Sequence, residues 1–307
     1  MLIRIRVQLL LVVSLGFGLG CATTAPAPAP TGELFLWEVE RSDGAGGVAH
    51  VLGSVHLSED ELTFDPVVDR ALADADTLVL EIDPDEADPA EISLLSVEIG
   101  YFLDGRTLLE VVGQGTFGAL GRRVAELELP LSGFRSMKPW LALLTLQVLE
   151  LQQEGYDLGK GVEQRLVEDA AETGKPTEGL ETPEEQLRAF DHMPLEIQVR
   201  LLDEFLRRGD EEDIISVLME AWRLGDDARL EQEVFGELAS DPSLAPFFEA
   251  LYFERNARMA RGIAERVDAG GRWFVAVGAA HVVGARGVPS LLRQHGYRVR
   301  RLPKTVH

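Results

Sequence analysis

Two of the chain's six histidines stand three residues after a glycine that closes an apolar run. They are His56 in Val48-Ala-His-Val-Leu-Gly53-Ser54-Val-His56 and His281 in Trp273-Phe-Val-Ala-Val-Gly278-Ala-Ala-His281. An imidazole offers one nitrogen to a divalent ion, and a glycine ahead of it lets the backbone turn sharply, so that the ring points back over a sheet edge. Two histidines need at least one carboxylate to hold a catalytic ion with a position open for water. Glu81 ends the apolar run Thr77-Leu-Val-Leu, where a charge is out of place unless something neutralises it. Glu181 follows Thr177-Glu-Gly-Leu and precedes Thr182-Pro-Glu-Glu185, a capping box with proline at the first helical position. All four side chains therefore sit at strand exits, the edge where open α/β sheets place their ligands.

The same residues admit structural roles. A histidine after a strand is satisfied in many loops, Glu81 could pair with an arginine, and Thr182 and Glu185 are explained by capping. Arg255-Asn256 is polar on an otherwise apolar helix and serves either an ion-pair and amide network or the site. His50, His192, His295 and His307 have no matching context and read as structural or exposed.

The elements that must position these groups follow from the apolar pattern. Leu34 to Gly53 reads as a hairpin around Ser42-Asp-Gly-Ala-Gly-Gly47. Asp65-Pro66 opens a helix, and residues 77–83 form a strand with a carboxylate at its exit. The middle is helical. Trp140 to Leu151 is apolar nearly all round, and Leu195, Val199, Leu202 and Leu206 mark the apolar stripe of another helix. Residues 211–225, 226–238 and 245–267 also read helical, the last with Phe247, Phe248, Leu251, Met259 and Ile263 inward. A strand (273–278), a helix (288–295) and a strand (297–302) close the chain. Strands at both ends around a helical middle predict an α/β fold. Its central mixed sheet comes from the N- and C-terminal thirds, in one domain over 34–307 with a helical insertion at about 89–245.

Charge and cysteine usage narrow the function. Across 307 residues, 29 Lys+Arg against 52 Asp+Glu give a net charge of −23, which repels nucleic-acid phosphates. One cysteine, Cys21, excludes an internal disulfide and a thiolate cluster. It follows Arg4, Arg6 and an apolar run through Leu19, the make-up of an export signal over residues 1–20. Cys21 then reads as a lipidation site of an envelope lipoprotein in a Gram-negative-type membrane. Cleavage after Ala22, giving a secreted or periplasmic protein, is the alternative. Residues 21–33, rich in Pro and Ala, would be an extended tether from membrane to domain.

Several stretches resemble the TraB/GumN family: Gly53-Ser-Val-His56-Leu, Val79-Leu-Glu81-Ile-Asp83, Gly161-Val-Glu-Gln-Arg-Leu166, Gly179-Leu-Glu181-Thr-Pro-Glu-Glu-Gln186, Glu254-Arg-Asn256 with Met259, and Phe274 through Gly278 and His281 to Gly284. They run in the family order from about residue 34 to 302, with Glu163 standing where the family pattern has Asp. The family is similar to the Tiki metalloproteases, which use paired Gly-x-x-His motifs and acidic residues with manganese or cobalt. It is more distantly related to erythromycin esterases and to a haem-binding lipoprotein group. The resemblance implies an erythromycin-esterase/Tiki-like fold and a membrane-tethered, metal-dependent hydrolase, of peptidase type, for a peptide or small-molecule substrate. His56, His281 and Glu81 would hold the ion, with Gly53, Ser54, Asn256 and Gly278 in support. Nitrogen and oxygen donors without thiolate suit Mn²⁺, Co²⁺ or Zn²⁺. Glu181 would be a further ligand or the base, interchangeable with Glu81, and Arg255 would stabilise an oxyanion as a fixed cation. The other class left open is a non-enzymatic haem- or metal-binding lipoprotein.

Overall fold

The computed structural model describes residues 32–55, 64–153, 161–207 and 214–305, the side chains of 214–216 excepted. The expected export signal, Cys21, most of the tether, His56 and His307 lie outside the described residues. The chain begins with β1 (Glu33–Arg41), β2 (Val48–Ser54), α1 (Pro66–Asp74) and β3 (Thr77–Leu80). The middle holds α2 (Pro89–Gly100), α3 (Leu108–Glu126), α4 (Pro139–Gln153), α5 (Val162–Thr173), β4 (Thr177–Gly179), α6 (Pro183–Asp191), α7 (Leu195–Arg207), α8 (Ile214–Leu224) and α9 (Asp227–Ser240). It ends with α10 (Ala245–Phe248), a π turn at Glu249–Phe253, α11 (Glu254–Ala269), β5 (Arg272–Gly278), α12 (Val288–Gln294) and β6 (Tyr297–Pro303).

The six strands form one mixed sheet in the order β4-β3-β5-β2-β1-β6. β2 and β3 both run parallel to β5, and β4 runs parallel to β3, whereas β1 is antiparallel to β2 and β6. The C-terminal third thus inserts β5 between two strands of the N-terminal third, so neither end completes the sheet alone. Phe274, Val275, Ala276 and Val277 are fully buried, as are Leu78 and Val79, the pattern of parallel strands covered on both faces. The short edge strand β4 comes from the helical middle, which extends the sheet beyond the two terminal thirds.

Helix starts follow the expected side-chain chemistry. Asp65 accepts from the Val67 N–H with Pro66 at the first helical position, and Thr182 and Glu185 form a reciprocal capping box ahead of α6. α4 is buried around Trp140, Leu143 and Leu146 as its apolar run predicts. Two details differ. On α7 the buried stripe runs through Ile197, Leu201, Leu202 and Phe205, so of the four expected positions only Leu202 is buried and Leu195 is exposed. Gln198 goes inside with that stripe because its amide donates to the Met193 carbonyl, a bond the apolar spacing does not signal. The helix read over 245–267 keeps its inner face but is interrupted by the π turn before Glu254. Among the described residues no helix is long and apolar enough to cross a membrane.

Candidate functional site

Four parallel strands, β4, β3, β5 and β2, lie side by side, so their carboxyl ends share one edge of the sheet. The exits are held level by the backbone. The Leu180 N–H donates to the Leu80 carbonyl (2.9 Å) and the Glu181 N–H to the Glu81 carbonyl (2.8 Å). Ser54 at the end of β2 pairs with Gly278 at the end of β5. Glu81, Glu181 and His281, far apart in sequence, therefore meet at that edge. The fourth expected member, His56, follows Val55 and is outside the described residues.

The two carboxylates meet on Arg255. Glu81 Oε1 accepts from the Gly278 N–H (2.7 Å), while Oε2 accepts from Arg255 Nη2 (2.7 Å) and Gln186 Nε2 (3.0 Å). Glu181 accepts from Arg255 Nε at both oxygens (2.9 and 3.2 Å) and from Arg258 Nη2 (3.1 Å). Arg255 Nη1 donates to the carbonyl of Leu251 in the π turn (3.0 Å). Burial opposes the charge on Arg255, but Glu81 and then Glu181 outweigh it and hold the guanidinium above its ordinary range. The side chain of Glu181 is 1% exposed, so its charge is balanced by the guanidiniums rather than by bulk water.

On the opposite side of Glu81 stands His281, on the turn Ala279–Val282 that follows β5. Its Nδ1 lies 2.5 Å from Asn256 Oδ1, and Asn256 Nδ2 donates to the Arg286 carbonyl (2.8 Å). A carbonyl only accepts, so the end of the Asn256 amide facing Arg286 is the NH₂ group and the end facing His281 is oxygen. That oxygen in turn requires a proton on Nδ1. Nε2 is left facing Glu81 Oε1 at 3.8 Å. The Tyr252 ring lies alongside, with centroids 5.4 Å apart. The π turn precedes both Arg255 and Asn256, a placement typical of such bulges at functional sites.

The glycines of the two motifs act differently from the expected sharp turn. Gly278 has φ −51° and ψ 142°, which any residue adopts, and its contribution is the N–H that Glu81 accepts. At Gly53 the requirement is close approach: a Cβ there would stand 2.6 Å from Val282 Cγ2 and 3.3 Å from Ala279 Cα. The Gly53 carbonyl accepts from the Trp222 indole (2.7 Å), and the fully buried Ser54 hydroxyl donates to Glu163. His50 lies mid-strand beside Glu38, with burial lowering its pKa, and His192 and His295 cap helix ends at the surface.

Among the described residues no trio of His, Cys, Asp and Glu side chains forms a metal cage. Glu81 Oε1 and His281 Nε2 face each other at 3.8 Å, an oxygen and a nitrogen of the kinds that ligate metal ions. A nitrogen and an oxygen donor without thiolate are the types that Mn²⁺, Co²⁺ or Zn²⁺ accept. Sequence reasoning missed Arg258, Tyr252 and the role of Gln186. Arg255 and Arg258 share one face of α11 at a spacing of three, a signal that was there to read. Tyr252 reads as one more core aromatic, and Gln186 as an ordinary helix-face residue.

The chain is 24% identical over 246 residues to uncharacterized protein YbaP of Shigella flexneri, covering 80% of this chain and 88% of that protein. It is 24% identical over 245 residues to uncharacterized protein YbaP of Escherichia coli (strain K12), covering 80% and 87%. No solved structure matches the chain significantly. The model of one family spans residues 35–301, nearly the whole of the α/β domain with its four strand exits, and the chain belongs to that family, TraB/PrgY/gumN.

Proposed function

We propose that the chain is a metal-dependent hydrolase of the cell envelope, of peptidase type, tethered through Cys21. The observation that carries this reading is the orientation of His281: Asn256 fixes its proton on Nδ1 and turns Nε2 toward Glu81 Oε1 at 3.8 Å. An outer-shell partner on one imidazole nitrogen and a carboxylate beside the other is how proteins prepare a histidine to ligate. His281 and Glu81 would hold a divalent ion together with His56. When bound, that ion would polarise a substrate carbonyl and lower the pKa of water.

The chain's own residues supply the rest. Arg255, a cation that does not titrate away, stands beside Glu81 and would stabilise negative charge developing on a substrate oxygen. Glu181 is held by two guanidiniums, which favours a role in fixing Arg255 over one as ligand or base. Asn256 and the Arg286 carbonyl keep the His281 ring from rotating. Burial of Asn256, Glu181 and His281 excludes bulk water behind the reacting groups.

The test is hydrolysis of a peptide library by the purified protein with Mn²⁺, Co²⁺ or Zn²⁺ added, beside the Glu81→Gln variant. Metal-dependent cleavage that Glu81→Gln abolishes is expected. Ion binding without cleavage of any peptide would instead assign the protein to non-catalytic carriers. Mass spectrometry of the mature N-terminus checks the tether, with a diacylglyceryl adduct on Cys21 as the expected result.

A further inference from the structure

The helix that follows the Glu81 exit has an unusual outer face. Among the described residues five large hydrophobic side chains are exposed, and three of them, Leu94 (72%), Val97 (46%) and Leu103 (74%), lie on α2 or the turn after it. The inner side of α2 is anchored: Ile99 and Gly100 are buried, and a Cβ on Gly100 would stand 2.6 Å from Leu141 Cδ2. The helix packs against α6, which begins just past Glu181. The apolar face is thus built on the two strand exits that carry the site's carboxylates.

The segment that carries it has one sign of charge, and the cation that follows it, Arg106, is paired with Asp104. From Ile82 to Gly105 the chain has seven acidic residues, Asp83, Asp85, Glu86, Asp88, Glu91, Glu98 and Asp104, and no Lys, Arg or His. Among the described residues, Asp85, Glu86, Glu91 and Glu98 have no cationic partner. Apolar side chains left in water on a helix that also exposes the unpaired Glu91 and Glu98 mark a surface for a ligand that is both aliphatic and basic. A second copy of this chain would set the same acids against each other, and an anionic lipid surface would be repelled in the same way.

We propose that the outer face of α2 docks a peptide segment combining Lys or Arg with aliphatic side chains, and that such segments are the substrates delivered to the site. The identification as substrate rests on the peptidase reading above; the docking itself does not. Leu94 and Val97, one helical turn apart, would take the aliphatic side chains, and Glu91 and Glu98 the basic ones.

Fluorescence anisotropy of a labelled peptide alternating Lys and Leu tests this with the full chain. Binding is expected for that peptide and not for its Glu-for-Lys or Ser-for-Leu counterparts. The double variant Leu94→Ser/Val97→Ser should weaken it about tenfold or more. Glu91→Lys/Glu98→Lys should weaken it similarly and remove most of its salt dependence. All four positions are exposed. Should the serine variant fold poorly, the lysine variant carries the test. Equal binding by wild type and both variants overturns the proposal, as does preference for the Glu peptide. Light scattering that shows a wild-type dimer made monomeric by the serine variant would assign the face to a second copy. Flotation with phosphatidylcholine vesicles, lost in that variant, would assign it to lipid; either result overturns the proposal. Peptide binding that survives in Glu81→Gln, in a protein that binds no divalent ion, would leave the docking standing and remove only the hydrolase reading.

Discussion

Two clusters in this molecule are built from the same parts, arginine and carboxylates away from water, and they solve the problem of buried charge in opposite ways. At the sheet edge Arg255 and Arg258 serve Glu81 and Glu181, and the Gly278 N–H and the Gln186 amide add further donors. In the helical middle Arg200 is the one cation paired, among the described residues, with both Glu204 (2.8 Å) and Asp241 (2.6 Å). Glu237, 1% exposed, stands close enough to Glu204 and Asp241 to feel their charges, and its Oε1 has no hydrogen-bond partner among the described residues. Burial first, and then the charge of Glu204, push Glu237 up to about 8. Burial also raises Glu204, whereas Asp241, bonded by Ser243 and then Arg200, is lowered. The lesson is one of donor supply: where donors suffice, carboxylates are fixed by several hydrogen bonds, and where they run short, one carboxyl keeps its proton.

The comparison breaks most visibly at Arg255. Arg255→Met leaves Glu81 and Glu181 without their shared cation and should cost about 3–5 kcal/mol in urea unfolding; a loss below 1 kcal/mol would mean that the edge does not depend on it. The mirror experiment is Glu237→Gln. With a folded pKa near 8 against an ordinary 4.5, the protonated Glu237 favours the folded state fully only below about pH 4.5. That contribution is lost as pH rises toward 8, because the unfolded chain ionises first. The variant should therefore match wild type at pH 4 and exceed it by about 4 kcal/mol at pH 8. A constant offset across that range would show that Glu237 does not hold a proton. Gly53→Ala places a Cβ against Val282 and Ala279 and should cost about 1–3 kcal/mol. Asn256→Ala frees the His281 ring and should weaken ion binding about 10–100-fold, read by calorimetry.

Much of this was legible in the residues. The strand-end positions of Glu81 and His281 came from apolar runs that stop at Glu81 and Gly278, that of Glu181 came from the capping box after it, and parallel pairing of β4, β3 and β5 brought them to one edge. The capping box at Thr182 and Glu185 located the β4–α6 junction because caps are local chemistry. What was not legible depends on tertiary pairing. The Arg255 bridge over two carboxylates joins residues 174 and 74 positions apart, and no local pattern announces it. Nor does spacing reveal that Gly53 is needed for packing rather than for turning, since both uses look alike in a sequence. The inward turn of Gln198 on α7 was missed for the same reason: a carbonyl in the preceding turn makes a buried amide acceptable.

Calorimetric titration of the purified protein with Mn²⁺, Co²⁺ and Zn²⁺, repeated on His281→Ala and Glu81→Gln, addresses the central claim, that these two side chains share one cation. The account predicts one ion bound per chain in wild type and its loss in either variant, with the fold intact by circular dichroism. Binding that persists unchanged in both variants, or no binding of any of the three ions to wild type, would contradict it.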